Sequence, residues 1–114
     1  MSDCIFCKIA NKEFDTEFIY EDDEIVAFKD INPQAPIHIL VIPKEHIETI
    51  VDLNEKHEKL VGKMFTVVRK IAKIYNIEDE GFRLVVNCKE NGGQEVNHLH
   101  FHVLGGKKLE TKIV

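Results

Sequence analysis

Apolar residues recur along this chain with two different periods. In "DLNEKHEKLVGKMFTVVRKIAKIY", Asp52 to Tyr75, the residues Leu60, Met64, Val67, Val68, Ile71, Ile74 and Tyr75 fall at helical spacing, with most charges opposite them. The spacing predicts one long amphipathic helix, with Asp52 or Asn54 as its cap. Elsewhere the pattern is that of strands. "EFIYEDD" and "EIVAFKDINP" read as two strands joined at an acidic turn around Asp22 and Asp23, and "APIHILVIPKEH" as a third, bounded by Pro36 and Pro43. "GFRLVVN" and "NHLHFHVL" read as a fourth and fifth, separated by the glycine-bearing loop "CKENGGQE". A short helix from Cys4 to about Ala10 precedes them all. Strands in hairpin order around an inserted helix predict an α+β fold with a five-stranded, mostly antiparallel sheet. No repeat or linker interrupts the chain, so residues 1–114 read as one domain.

The fifth strand carries the chemistry. His98, His100 and His102 alternate with Leu99, Phe101 and Val103, so three of the six histidines share one face and the apolar set takes the other, against the helix. One reading is a catalytic metal held by three imidazoles. Its geometry is awkward, because residues two apart on a strand are separated by roughly 6.5 Å. The other reading makes one neutral imidazole a nucleophile at phosphorus while its neighbours orient it and handle charge. Gly92 and Gly93, just ahead of the strand, favour phosphate: glycines let backbone N–H groups close around an anion.

Composition narrows the partners. A net charge of -5 over 114 residues leaves no basic footprint for a nucleic-acid polymer. A single nucleotide, which needs a pocket rather than a field, remains open. The start "MSDCIFCKIA" does not have the pattern of a signal peptide, and no apolar run approaches the ~18 residues of a membrane span. Three cysteines, with Cys4 and Cys7 at CxxC spacing and Cys88 alone, suit a reducing cytoplasm, which is the expected location. Cys4 and Cys7 are half of a zinc site, a redox pair or two buried thiols. His57, among the charges of the long helix, reads as solvated.

Residues His98 to Leu104 match the signature His-φ-His-φ-His-φ-φ, with φ apolar, and so resemble the histidine triad (HIT) superfamily. "GGQEVNHLHFHVLGG", "DINPQAPIHILVIPKEHI" and "CIFCKI" are similar to its nucleotide-binding (Hint) branch. Nucleotidyl transferases of the superfamily replace the third histidine with glutamine, and its dinucleoside polyphosphate hydrolases usually follow the triad with Pro-Arg. Here His102 and Gly105-Gly106 stand at those positions.

The resemblance implies a homodimer with joined sheets and a purine nucleoside phosphoramidase. Such an enzyme cleaves nucleoside 5′-phosphoramidates or acyl and aminoacyl adenylates to a nucleoside monophosphate. It implies His100 as the nucleophile that becomes covalently nucleotidylated, His102 as a phosphate-oxygen partner, and His38 as support for the proton network. It implies Asn87, Gly93 and Gln94 on the phosphate and ribose side and Asp30 on the ribose hydroxyls. Ile5, Phe6, Ile9, Phe28, Ile31 and Leu40 would wall the purine. Glu95 stands where some members carry Ser or Thr, and its carboxylate would repel phosphate unless it points away, pairs with the leaving amine or is protonated. In zinc-bearing relatives Cys4, Cys7, His46 and His98 match the ligands of a structural zinc that braces the histidine strand and, having no open position, activates no water. Two other functions compete: a nucleotide-binding or interaction module with incidental hydrolysis, and the three-histidine metallohydrolase.

Overall fold

The computed structural model describes residues 3–110, so the extreme ends of the expected domain, residues 1–2 and 111–114, lie outside the described residues. In chain order the elements are α1 (Ile5–Ala10), β1 (Tyr20–Glu21), β2 (Ile25–Lys29), β3 (Ile37–Pro43), α2 (Glu58–Ile74), β4 (Arg83–Val85) and β5 (Phe101–Gly105). Three 3-10 turns, at Ile50–Asp52, Glu55–His57 and Glu90–Gly92, punctuate the loops. The five strands form one sheet in the order β1-β2-β3-β5-β4, with every neighbouring pair antiparallel. The α+β architecture with a long and a short helix is therefore as expected, and no helix among the described residues is long and apolar enough to cross a membrane.

The sheet is covered on both faces, which explains why β2 and β3 are near-continuous apolar runs. Ile25, Ala27, Ile39, Val41 and Val103 pack with Met64, Val67, Val68 and Ile71 of α2. The alternate residues Val26, Phe28, Leu40 and Ile42 pack with Phe6 and Ala10 of α1. Each of these Val, Leu, Ile, Met and Phe side chains, fully buried, contributes about 1.5–3 kcal/mol relative to exposure. A six-residue helix does not hold its shape alone. Phe6 anchors it: the ring centroid lies 5.7 Å from that of Phe28 and 5.0 Å from that of His100, both edge-on.

Several elements are shorter than their apolar patterns suggest. The fifth strand begins at Phe101 rather than Asn97. The pairing Val41↔Phe101 continues to put Leu99 opposite Pro43, which has no N–H to extend the ladder. The Leu99 N–H bonds instead to the Ile47 carbonyl at 2.7 Å. Likewise α2 starts at Glu58, because residues 50–57 turn as two 3-10 segments. Asp52 closes the first through the N–H and hydroxyl of Thr49. Asn54 caps the second, which runs into α2, by accepting from the Lys56 N–H at 3.0 Å.

One expectation is overturned here. His57 is not solvated; it is 6% exposed. Its Nδ1 accepts from the Asn54 N–H at 3.1 Å, and its Nε2 faces the Glu45 carboxylate at 3.4 Å. The spacing had the signal: His57 lies three and seven residues before Leu60 and Met64, on the same stripe.

Candidate active site

The triad histidines straddle the start of β5, and each ring is set by a backbone group. His98 is fully buried, and its Nε2 lies 2.8 Å from the Pro43 carbonyl. A carbonyl oxygen only accepts, so Nε2 carries the proton and Nδ1 keeps its lone pair. His100 is the mirror case: its Nδ1 lies 2.7 Å from the His98 carbonyl and carries the proton, leaving a lone pair on Nε2. His102 is set at one remove. The Gln34 N–H donates to Nδ1 of His38 at 3.0 Å, so the proton of His38 sits on Nε2 and is donated to Nδ1 of His102 at 2.9 Å. Nε2 of His102 then carries a proton. Three imidazoles of one repeating motif thus divide into two tautomers, with the proton on Nε2 in His98 and His102 and on Nδ1 in His100; the Nδ1 lone pair is taken by His38 in His102, whereas in His98 it faces the cysteines.

Those states face different surroundings. Nδ1 of His98 lies 3.3 Å from the Cys4 sulfur, 3.5 Å from the Cys7 sulfur and 3.3 Å from Nδ1 of His46, with Cys7 and His46 3.2 Å apart. Bond lengths of about 2.3 Å to sulfur and 2.0–2.1 Å to nitrogen give a tetrahedron with edges of about 3.3–3.8 Å, close to these spacings. Two thiols and two imidazole nitrogens so placed fit a metal ion. Cys4 also caps α1, its sulfur accepting from the Cys7 N–H at 3.2 Å. Burial, together with the Cys4 side chain, pushes the Cys7 thiol up to about 11, so without a cation it holds its proton at neutral pH.

The three triad imidazoles do not converge on one ion. His98 turns to the cysteines, whereas His100 and His102 line a cavity of about 490 Å³, the size of a small-molecule site. The three-histidine metal arrangement is therefore not what the chain builds. Asp30, His38 and His102 also lie close together, but the proton between the two imidazoles already occupies the His102 lone pair.

Eleven of the other expected residues line this cavity. Ile5, Phe6, Ile9, Phe28 and Leu40 form an apolar wall. Ile31 joins them only at the rim, 90% exposed. His38, Asp30, Asn87, Gly93 and Glu95 supply polar lining. One Asp30 oxygen accepts from the Asn32 N–H at 2.8 Å and the other lies 3.4 Å from Nε2 of His38. Asn87 donates to the Gly92 carbonyl at 2.8 Å, and Gly93 takes a left-handed conformation, φ +77°, that closes the turn. Gln94 departs from expectation. It does not line the cavity; its carboxamide is engaged by the backbone of Lys89, Glu48 and Val96.

Thr16, Lys29, Asn32, Gln34 and Val96 line the cavity without having been singled out. Gln34 matters most, since its backbone N–H sets the His38 ring. A backbone donor has no residue signature, although Pro33 and Pro36 do mark a rigid loop there.

Burial holds His100 and His38 below the ordinary imidazole value, against the pull of Asp30 on both and of Glu95 on His100. His102 is pushed down to about 4, first by burial and then by His100 and His38. All three are neutral at pH 7, as a lone-pair nucleophile and neutral donors require.

A family model described as scavenger mRNA decapping enzyme C-term binding matches residues 3–113. The solved structure of a histidine triad protein from Clostridium difficile, 50% identical, superposes with a TM-score of 0.94 over 97% of this chain and 96% of that one. The chain belongs to the histidine triad superfamily. A HIT family hydrolase from Clostridium thermocellum is 41% identical with a TM-score of 0.96, covering 100% of this chain and 99% of that one. In sequence, the purine nucleoside phosphoramidase of Escherichia coli K12 is 48% identical over 105 residues, 92% of this chain and 88% of the relative.

The depressed histidines make HIT-fold stability pH-dependent in a stated direction. In the unfolded chain these groups protonate near 6.5, before they do in the folded one. Stability contributed by neutral His102 is therefore complete above about pH 6.5 and falls as the pH drops toward 4. Imidazole titration followed by NMR should give His102 a midpoint about 4, and His102→Asn should flatten the loss of denaturant stability between those pH values. A His102 midpoint near 6.5 would show the ring to be solvated instead.

Proposed function

We propose that this HIT-family hydrolase is a purine nucleoside phosphoramidase acting through a covalent nucleotidyl-histidine at His100. The observation that carries the reading is the 2.7 Å contact between Nδ1 of His100 and the His98 carbonyl. It leaves the Nε2 lone pair of a neutral ring free in the cavity, and it accommodates the charge that the ring takes on when that lone pair forms a bond. The 48% identity to the Escherichia coli phosphoramidase supports the substrate class.

In the proposed reaction the purine lies against Phe6, Ile9, Phe28 and Leu40, with Ile5 and Ile31 toward the mouth, and the ribose hydroxyls donate to Asp30. Nε2 of His100 attacks the α-phosphorus in line, forming a P–N bond. The bond to the leaving amine breaks, and the amine departs with the electron pair and gains a proton from water. The Nε2–H of His102 donates to a phosphate oxygen as charge builds, while His38 holds the opposite nitrogen of that ring. Asn87 and Gly93 border the phosphate, with the Asn87 amide as donor, and Glu95 borders the leaving-group side. Water then attacks phosphorus and releases a proton to solvent, the P–N bond breaks with its electron pair returning to Nε2 of His100, and nucleoside monophosphate leaves with the ring neutral again. Acyl and aminoacyl adenylates enter by the same step with a carboxylate as leaving group.

Cys4, Cys7, His46 and His98 would hold a zinc ion, which in this closed ligand set supplies a cross-link rather than chemistry. The residues it joins belong to α1, to the segment after β3 and to the lead into β5. We also read the protein as a cytoplasmic homodimer of single domains, residues 1–114. In support, β4 is an edge strand of the sheet, with Phe82 exposed beside it and Phe65 exposed on α2.

His100→Ala should lower hydrolysis of an adenosine 5′-phosphoramidate by at least about 10³-fold while AMP affinity stays within a few-fold, and mass spectrometry of the wild type should find the nucleotide on the peptide containing residues 98–102. Turnover surviving in His100→Ala would remove the nucleophile, and AMP binding without turnover in the wild type would make the protein a nucleotide-binding module. For the metal, the purified protein should carry one zinc per chain; Cys7→Ser should lose it and melt at lower temperature. A zinc-free wild type of equal thermal stability would contradict the cross-link.

A further inference from the structure

Gln94 sits between two cavity-lining residues, Gly93 and Glu95, yet does not line the cavity itself. Both N–H donors of its carboxamide and its oxygen are engaged. The oxygen accepts from the Lys89 N–H at 2.9 Å, and the nitrogen donates to the Glu48 carbonyl at 2.7 Å and to the Val96 carbonyl at 2.9 Å. Its backbone N–H returns to the Lys89 carbonyl at 3.0 Å, so residues 89 and 94 clasp each other across the loop.

Lys89 explains why a clasp is needed. It adopts φ +58° and ψ -169°, a region essentially reserved for glycine, at a cost of order 1–3 kcal/mol. Such a residue persists only where its surroundings over-determine it. The Gln94 side chain and backbone take both hydrogen-bonding groups of Lys89. The bond to Glu48 then ties the loop to the segment that follows β3 and carries His46, while Asn87 closes the near end on Gly92.

We propose that Gln94 is a positioning residue: its carboxamide locks residues 87–95 into the shape that sets Asn87, Gly93 and Glu95 along the phosphate side of the cavity, without itself touching the nucleotide. The proposal rests on reading that loop as the phosphate cradle. Donors that meet a developing charge must be in place beforehand, and a displacement of about 1 Å costs on the order of 10²-fold in rate.

The test uses the full chain with Gln94→Glu, which keeps length and acceptor but turns lone pairs onto two carbonyls, and Gln94→Met, which keeps length alone. Amide hydrogen exchange without nucleotide is compared with kcat and KM for an adenosine phosphoramidate and with adenosine affinity. Expected is exchange at residues 88–95 at least about tenfold faster relative to amides of β3 and β5, kcat lower by about 10- to 100-fold, and adenosine affinity within about twofold. Unchanged loop exchange with weakened phosphoramidate binding would make Gln94 a direct phosphate contact. Acceleration spread evenly over the sheet would make it a stability residue only, and wild-type behaviour throughout would remove it from the site. Should the wild type not turn over phosphoramidates, the proposed reaction fails while the exchange comparison still decides whether Gln94 holds the loop.

Discussion

Backbone groups decide what each histidine of the triad can do. An imidazole in water exchanges its proton between two nitrogens, and three identical rings in a row would otherwise be three equivalent groups. Here the Pro43 carbonyl holds the proton of His98 on Nε2, the His98 carbonyl holds that of His100 on Nδ1, and the Gln34 N–H acts through His38 on His102. Ligand, nucleophile and donor thereby become separate properties of one motif. Low-dielectric burial reinforces the division, since it keeps His38, His100 and His102 uncharged where a protonated ring would offer no lone pair.

The fold makes those backbone groups available by stopping a ladder early. Pro43 ends β3 at the level of Leu99, so the chain carrying His98 to His100 is not consumed in sheet pairing. The Pro43 and His98 carbonyls are then free to accept from side chains, while Leu99, Phe101 and Val103 still anchor the segment in the core under α2. On the opposite face α1 supplies Phe6 against His98 and His100, and Cys4 and Cys7 beside His98. One side of the triad is thus held by packing and the other by a metal-competent cluster. The remaining opening is the cavity itself.

Much of this was legible before any coordinates, for physical reasons. Strict alternation sends odd and even side chains to opposite faces whether or not the ladder is formed, so the division between Leu99, Phe101, Val103 and the histidines survives the shortened strand. The helix period located α2, and the resemblance to zinc-bearing relatives grouped Cys4, Cys7, His46 and His98. What was hidden depends on backbone geometry. Nothing in the side chain of Gln34 announces that its N–H sets a histidine. Gln94 matched a motif position but had its amide committed elsewhere, because a loop held by a residue with Lys89's backbone needs bonds that no pattern of residue types displays.

The central claim concerns which nitrogen bears each proton, and long-range 15N–1H correlation spectra of the histidine rings measure that directly. At neutral pH the account predicts protonated Nε2 on His98 and His102 and protonated Nδ1 on His100. A His100 ring protonated on Nε2, or exchanging between the two forms, would contradict it, for the lone pair assigned to attack phosphorus would then not be held in place.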